Sequence, residues 1–211
     1  MNLVRDQIKK IRESNTMSVE FSYEDAPPSL LGEVFIEMVE SASGEVLFKD
    51  HRKNVITLDA GILAAILFKD PASRSNGVYM LAVGTGATGA LLSPDAPDSR
   101  QRKLNAEISR KPFSSTTFRD SGGNAVAIPT NVVDFTCTFD ESEAVGPLNE
   151  MGLLSPISTN PAITNPNPNA FPNRDLTLDL TLYDILVNYL TFGVISKPNT
   201  ARLSITWRIT F

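Results

Sequence analysis

The chain has one cysteine, Cys137, and one histidine, His51. A lone thiol makes no intrachain disulfide, and a zinc cluster at ligand spacing has nothing to be built from. A Ser-His-Asp triad would have to pass through His51, which lies in the charged run Lys49-Asp50-His51-Arg52-Lys53 with no G-x-S-x-G elbow anywhere. Carboxylate pairs such as Asp175 with Asp179, or Glu141 with Glu143, have nothing that sets them in a cleft. Basic charge is also short: 19 Lys and Arg against 24 Asp and Glu leave a net charge of −5 and a pI near 5.0. Wholesale binding to a phosphate backbone needs a basic face, so nucleic acid is not an expected partner. A local basic run, Arg100-Gln101-Arg102-Lys103, is diluted by Asp95, Asp98 and Glu107 and reads as a solvated face.

Long hydrophobic runs are missing as well. The longest, Ile62–Phe68, is far short of a membrane span. The opening MNLVRDQIKKIRES is charged from its fifth residue and has no apolar core of a secretory signal. These absences predict a protein made in a cytoplasm, with no membrane span, no cofactor, no metal and no catalytic residue.

What is present is strand chemistry. Hydrophobic residues are 42% and charged residues 20% of 211, which suits one large all-β domain with a core of its own. The clearest stretch is the last, Ala201–Phe211. Ala201, Leu203, Ile205, Trp207, Ile209 and Phe211 alternate with polar residues, so every apolar side chain falls on one face. Asn131–Phe139 alternates likewise, with Val133, Phe135, Cys137 and Phe139 on one side; Cys137 there reads as a small buried hydrophobe. Ser18–Tyr23 is a strand, and Glu33–Glu40 with Glu45–Lys49 a hairpin across Ser41-Ala42-Ser43-Gly44. Asn54–Leu58, Val78–Val83, Lys111–Phe118, Asn149–Leu154 and Gly193–Ser196 are shorter strands, with Gly146-Pro147 as a turn. Arg102–Ser109 fits helix or strand, and Tyr183–Phe192 is an apolar run that could bend into a short helical turn.

One internal helix is expected at about 59–69, with Asp59 capping free backbone N–H groups and Ile62, Leu63, Ile66 and Leu67 at helical spacing. A second, short amphipathic helix is expected within residues 1–15, from Leu3, Val4, Ile8 and Ile11. It is too short to be stable alone, so it must dock on its own body or clasp a neighbour. Residues 155–174 hold five of the fourteen prolines and read as an extended loop or arm. The fold class is therefore mostly β, an antiparallel β-sandwich of jelly-roll-like type spanning 16–211, with a helical arm at 1–15.

Gly84-Thr85-Gly86-Ala87-Thr88-Gly89 spells G-x-G-x-x-G. The dinucleotide reading needs a helix after the last glycine, and Pro94 and Pro97 leave no room for one. The glycines are expected instead to let the backbone turn where side chains would clash.

The order Lys53–Gly61, Tyr79–Thr88, Leu104-Asn105-Ala106-Glu107-Ile108-Ser109-Arg110, Phe135–Phe139, Asn149-Glu150-Met151-Gly152-Leu153-Leu154 and the Trp207–Phe211 ending resembles virion proteins of tailed bacteriophages, mostly tail or tail-fibre-associated. The similarity covers about two thirds of the chain and carries no catalytic residue; many such proteins continue into a fibre, and the Pro/Asn-rich loop is outside the pattern. The resemblance implies a structural, non-enzymatic subunit of the virion, in the tail or baseplate or as a head cement or decoration protein. Its partners would be copies of itself and other virion proteins, joined through the N-terminal arm and the Pro/Asn-rich loop. The alternative is a carbohydrate-binding adhesion module for a host-surface glycan, with Tyr79, Tyr183, Tyr189 and Trp207 as stacking candidates.

Overall fold

A computed structural model of the chain describes residues 31–70, 72, 77–157 and 182–211. The expected helical arm (1–15), the Ser18–Tyr23 strand and nearly all of the 155–174 loop lie outside these residues.

The described chain opens with β1 (Leu31–Glu40) and β2 (Val46–Lys53), then β3 (Val55–Ile56) and the helix α1 (Leu58–Lys69). β4 (Met80–Gly84), β5 (Gly89–Ala90), β6 (Ser93–Pro94), β7 (Glu107–Pro112), β8 (Ser115–Arg119) and β9 (Ala125–Val126) follow. β10 (Val132–Phe139), β11 (Gly146–Ser155), β12 (Ile185–Lys197) and β13 (Ala201–Thr210) complete it. The molecule is mostly β with one described helix, and its sheets are antiparallel. A six-stranded sheet runs β2-β1-β13-β10-β8-β9, a five-stranded sheet runs β3-β12-β11-β4-β7, and β5 and β6 form a small ribbon.

The C-terminal strand is the middle of the larger sheet. β13 pairs β1 from Leu31↔Thr210 to Glu40↔Ala201 on one side, and β10 from Val132↔Thr210 to Phe139↔Leu203 on the other. Its alternation puts Trp207 between Val34 and Phe135, all buried. Phe211 is anchored too: its N–H donates to Asn131 O at 2.9 Å. The core draws on both sheets, with Ile36, Cys137, Phe139, Ile205 and Trp207 from the larger meeting Leu81, Val83, Met151, Leu153 and Phe192 from the smaller. Burial of each such side chain stabilises by about 1.5–3 kcal/mol.

Several expectations are corrected by pairing. Tyr183–Phe192 makes no helical turn. It enters β12, a strand of 13 residues that absorbs Gly193–Ser196 and pairs β11 along its length, with a register shift near Asn188. Gly146-Pro147 is no turn but the start of β11, whose Gly146 pairs Lys197. Glu107–Pro112 settles as a strand. Lys111–Phe118 is not one strand: Pro112 ends the edge strand β7, and β8 begins after it at Ser115. The Ser121-Gly122-Gly123-Asn124 turn forms, closed by Asp120 N–H to Asn124 O at 3.0 Å.

α1 starts where expected but is capped differently. Thr57 is the N-cap and makes no side-chain cap; its hydroxyl donates to Leu186 O at 2.5 Å, tying the helix start to β12. Asp59 lies inside the first turn and pairs with Arg102, with Nε to Oδ2 at 2.8 Å, both side chains buried. So the run Arg100–Lys103 is not wholly solvated: Arg100 pairs Asp98 at the surface, while Arg102 anchors the helix.

Candidate functional site

The glycine turn is a closed structure. Glu150 of β11 is fully buried and turns its carboxylate into the bend after β4. Its Oε1 accepts from Gly86 N–H at 3.0 Å and Ala106 N–H at 2.8 Å, and its Oε2 from Asn105 N–H at 3.0 Å and Tyr189 O–H at 2.7 Å. Asn149 Oδ1 takes Ala87 N–H at 3.0 Å. Successive backbone N–H groups thus form an anion nest, and the anion is a side chain of the same protein. A Cβ on Gly86 would stand 2.3 Å from Ala106 N, and one on Gly84 2.5 Å from Ala106 O, so the glycines serve close approach, as expected. Burial, together with the Glu150 charge and hydrogen bond, raises the pKa of the Tyr189 phenol, which stays protonated as a donor.

This arrangement joins stretches far apart in sequence. Gly84-Thr85-Gly86, Leu104-Asn105-Ala106 and Asn149-Glu150-Met151 meet at one carboxylate. Sequence pattern marked the glycines by their spacing, but Glu150 escaped notice as a site residue because its backbone donors come from distant turns.

Other ionic groups are similarly consumed. Arg110 is buried between Glu107 and Asp184, reaching Asp184 Oδ2 at 2.6 Å and Glu107 Oε2 at 2.7 Å. Burial opposes its charge, but hydrogen bonds and charges from both carboxylates outweigh that and raise its pKa. Asp184 also accepts Ile157 N–H at 2.8 Å, so this group ties Ile157 to the residue that precedes β12. Lys197 Nζ, buried, donates to Asp140 O at 2.8 Å and Glu141 O at 3.1 Å, and burial lowers its pKa. Asp134 sits between Arg208 and Arg119, at 2.8 and 2.7 Å. Burial opposes ionisation there, yet the two guanidinium groups overcome it and hold its pKa below the usual aspartate range. Burial pushes the Cys137 thiol up to about 12, which leaves it inert as a nucleophile at neutral pH.

Residues singled out as candidates are dispersed. Tyr189 and Trp207 are buried and offer no face to a sugar, while Tyr79 and Tyr183 are only partly covered. His51 is half-exposed: its ring stacks on Phe35 at 4.3 Å and its Nε2 lies 3.3 Å from Glu33. Glu143 pairs Lys111 at 2.7 Å and Glu141 lies 3.4 Å from Arg202, so neither is poised as an acid or base. Asp175 and Asp179 lie outside the described residues. Among the described residues no group of three or more His, Cys, Asp or Glu gathers at metal-binding distance. No helix among them is long and apolar enough to cross a membrane.

The surface that does ask for a partner is apolar, and it lies around α1. Ala60, Leu63, Ile66 and Leu67 face the core, but Leu58, Ile62 and Phe68 remain 63%, 39% and 92% exposed. Beneath the helix a cavity of about 170 Å³ runs between Gly61, Ala64 and Leu67 on one side and Phe135, Ile209 and Phe211 on the other. Asn188 lines it with a buried carboxamide whose O and N have no hydrogen-bond partner. No family model matches the chain, and no curated protein matches it.

Proposed function

We propose that the chain is a structural, non-enzymatic subunit of a tailed-phage virion, in the tail or baseplate or as a cement or decoration protein of the head. In this reading the two sheets stack as a β-sandwich of jelly-roll-like type. An N-terminal helical arm and the Pro/Asn-rich loop join each copy to its neighbours and to other virion proteins. The particle, assembled in a host cytoplasm, is its location.

The observation that carries the reading is the convergence at Glu150. Three of the resembling stretches are contiguous in space and hydrogen-bonded to one carboxylate, so they behave as one structural unit instead of scattered coincidences. The buried charged groups Glu150, Arg110, Asp134 and Lys197 are spent on internal ties of this kind, as suits a building block that works by shape and repeated contact. The alternative, an adhesion module, draws no support from Tyr189 and Trp207, which are buried.

Two measurements test it. Mass spectrometry of purified particles from a strain carrying the gene should find the chain among the virion proteins, with capsid, portal or tail genes adjacent to its own. Light scattering on the isolated chain should find a symmetric oligomer, and deletion of residues 1–15 should leave a folded body that no longer joins the particle. A strict monomer, absent from particles, with affinity for glycans would replace this reading by the adhesion module.

A further inference from the structure

α1 is apolar on two sides. Its inward side is used by the core. Its outward side carries Leu58, Ile62, Ala65 and Phe68, with Gly61 at its border with the cavity, all exposed, and Lys69 at the end as the one charge on that side. Helices that are apolar all round are normally covered all round. Small residues at Gly61 and Ala65 between larger Leu58, Ile62 and Phe68 make a groove into which the ridge of a second helix can settle.

The sequence offers a candidate for such a helix. Leu3, Val4, Ile8 and Ile11 recur at helical spacing among Arg5, Asp6, Lys9, Lys10 and Arg12, so a helix there would carry one apolar stripe. That segment reaches the body at Leu31, whose partner in β13 is Thr210. The next residue, Phe211, lines the cavity with α1 and is itself 55% exposed. The arm therefore joins the body at the end where the uncovered helix lies. The 19 residues 12–30 can extend to about 60 Å, while α1 is about 18 Å long. A connection of that length is long enough for the segment to reach its own helix.

We infer that the outward side of α1 is the docking site for the chain's own N-terminal segment, Leu3–Ile11, which packs there as a second helix in the isolated protein. The inference rests on the exposed helix and the point of chain entry, and stands apart from the virion reading. Exchanged between copies, the same contact would join subunits at little cost, since an identical surface is covered either way. That extension alone depends on the virion reading.

The test uses the full chain with Ile8→Cys and Ile62→Cys, oxidised at low protein concentration and mapped by mass spectrometry. Native Cys137 is buried and does not compete. A link between positions 8 and 62 within one chain should form at least tenfold more than a link from Ile8→Cys to Val46→Cys, which lies at the opposite end of the larger sheet. Equal yields, or an 8–62 link found only between chains, would overturn the inference. An independent reading keeps both Ile8 and Ile62. Phe68→Asp should speed trypsin cleavage after Lys9 and Lys10 about tenfold or more, and an unchanged rate counts against docking. Particle incorporation is measured separately, so the docking and the virion reading can fail independently.

Discussion

The glycine turn and the α1 end are opposites. At the turn, four donors converge on one buried carboxylate and no side chain could be added without a clash. At α1, a helix with almost no outward charge leaves Leu58 and Phe68 in solvent beside an apolar cavity. The turn looks like a ligand loop in sequence and is filled from within. The helix looks like ordinary core in sequence and is half uncovered. What separates a site from a scaffold is whether its groups are already satisfied, and that depends on which distant residues arrive.

The largest expected effect is at the closed region. Glu150→Ala strips the acceptor from three backbone N–H groups and the Tyr189 hydroxyl, and should destabilise by about 4 kcal/mol or more. Thermal denaturation followed by circular dichroism would then show a midpoint lower by about 10 °C or more. A loss under about 1 kcal/mol would mean that the carboxylate does not hold the turn. Gly86→Ala comes next. Its Cβ would meet backbone at Ala106 and the Glu150 carboxylate, and a cost of about 2–4 kcal/mol in urea denaturation is expected.

A smaller effect tests whether a buried carboxylate held by partly exposed arginines acts like the fully enclosed one. Asp134→Asn should cost about 1–2 kcal/mol at pH 7, because Arg119 and Arg208 are only partly buried. The folded-state pKa lies below the ordinary value of 3.8. The stabilisation is therefore full above 3.8 and is lost as pH falls through the folded-state value. Urea midpoints for the native and Asn chains should differ at pH 7 and converge in strong acid. Smallest is Phe68→Ser in a chain lacking residues 1–15, where the N-terminal segment cannot cover the outward side of α1; it removes an exposed side chain and should move the stability of the body by no more than about 0.5 kcal/mol. A loss of several kcal/mol there would show Phe68 already buried, and would break the contrast between the two regions.

Legibility followed periodicity. β1, β10 and β13 have one face on the core, so alternation announced them and their inward residues correctly. β11 and β12 are buried on both faces for much of their length. The second face of the smaller sheet is covered by Leu104 and Tyr79 around Met80, Leu154, Leu186 and Tyr189. Without a polar side there is no period of two, and the Tyr183–Phe192 run gave no sign of being a strand. Asp59 was expected to serve its own helix end; Arg102, 43 residues on, claims its carboxylate. The glycine spacing predicted close approach but not what approaches.

Composition and alternation by themselves determined a mostly β chain, its central C-terminal strand, the inward residues of three strands and the single described helix, because these depend on neighbours in sequence. Tertiary structure alone decided that Glu150 fills the glycine turn, that Arg102 and Arg110 are buried partners, and that α1 keeps an open side. Each of those is a matter of satisfying a buried charge or covering an apolar face, and the groups that do so lie dozens of residues away.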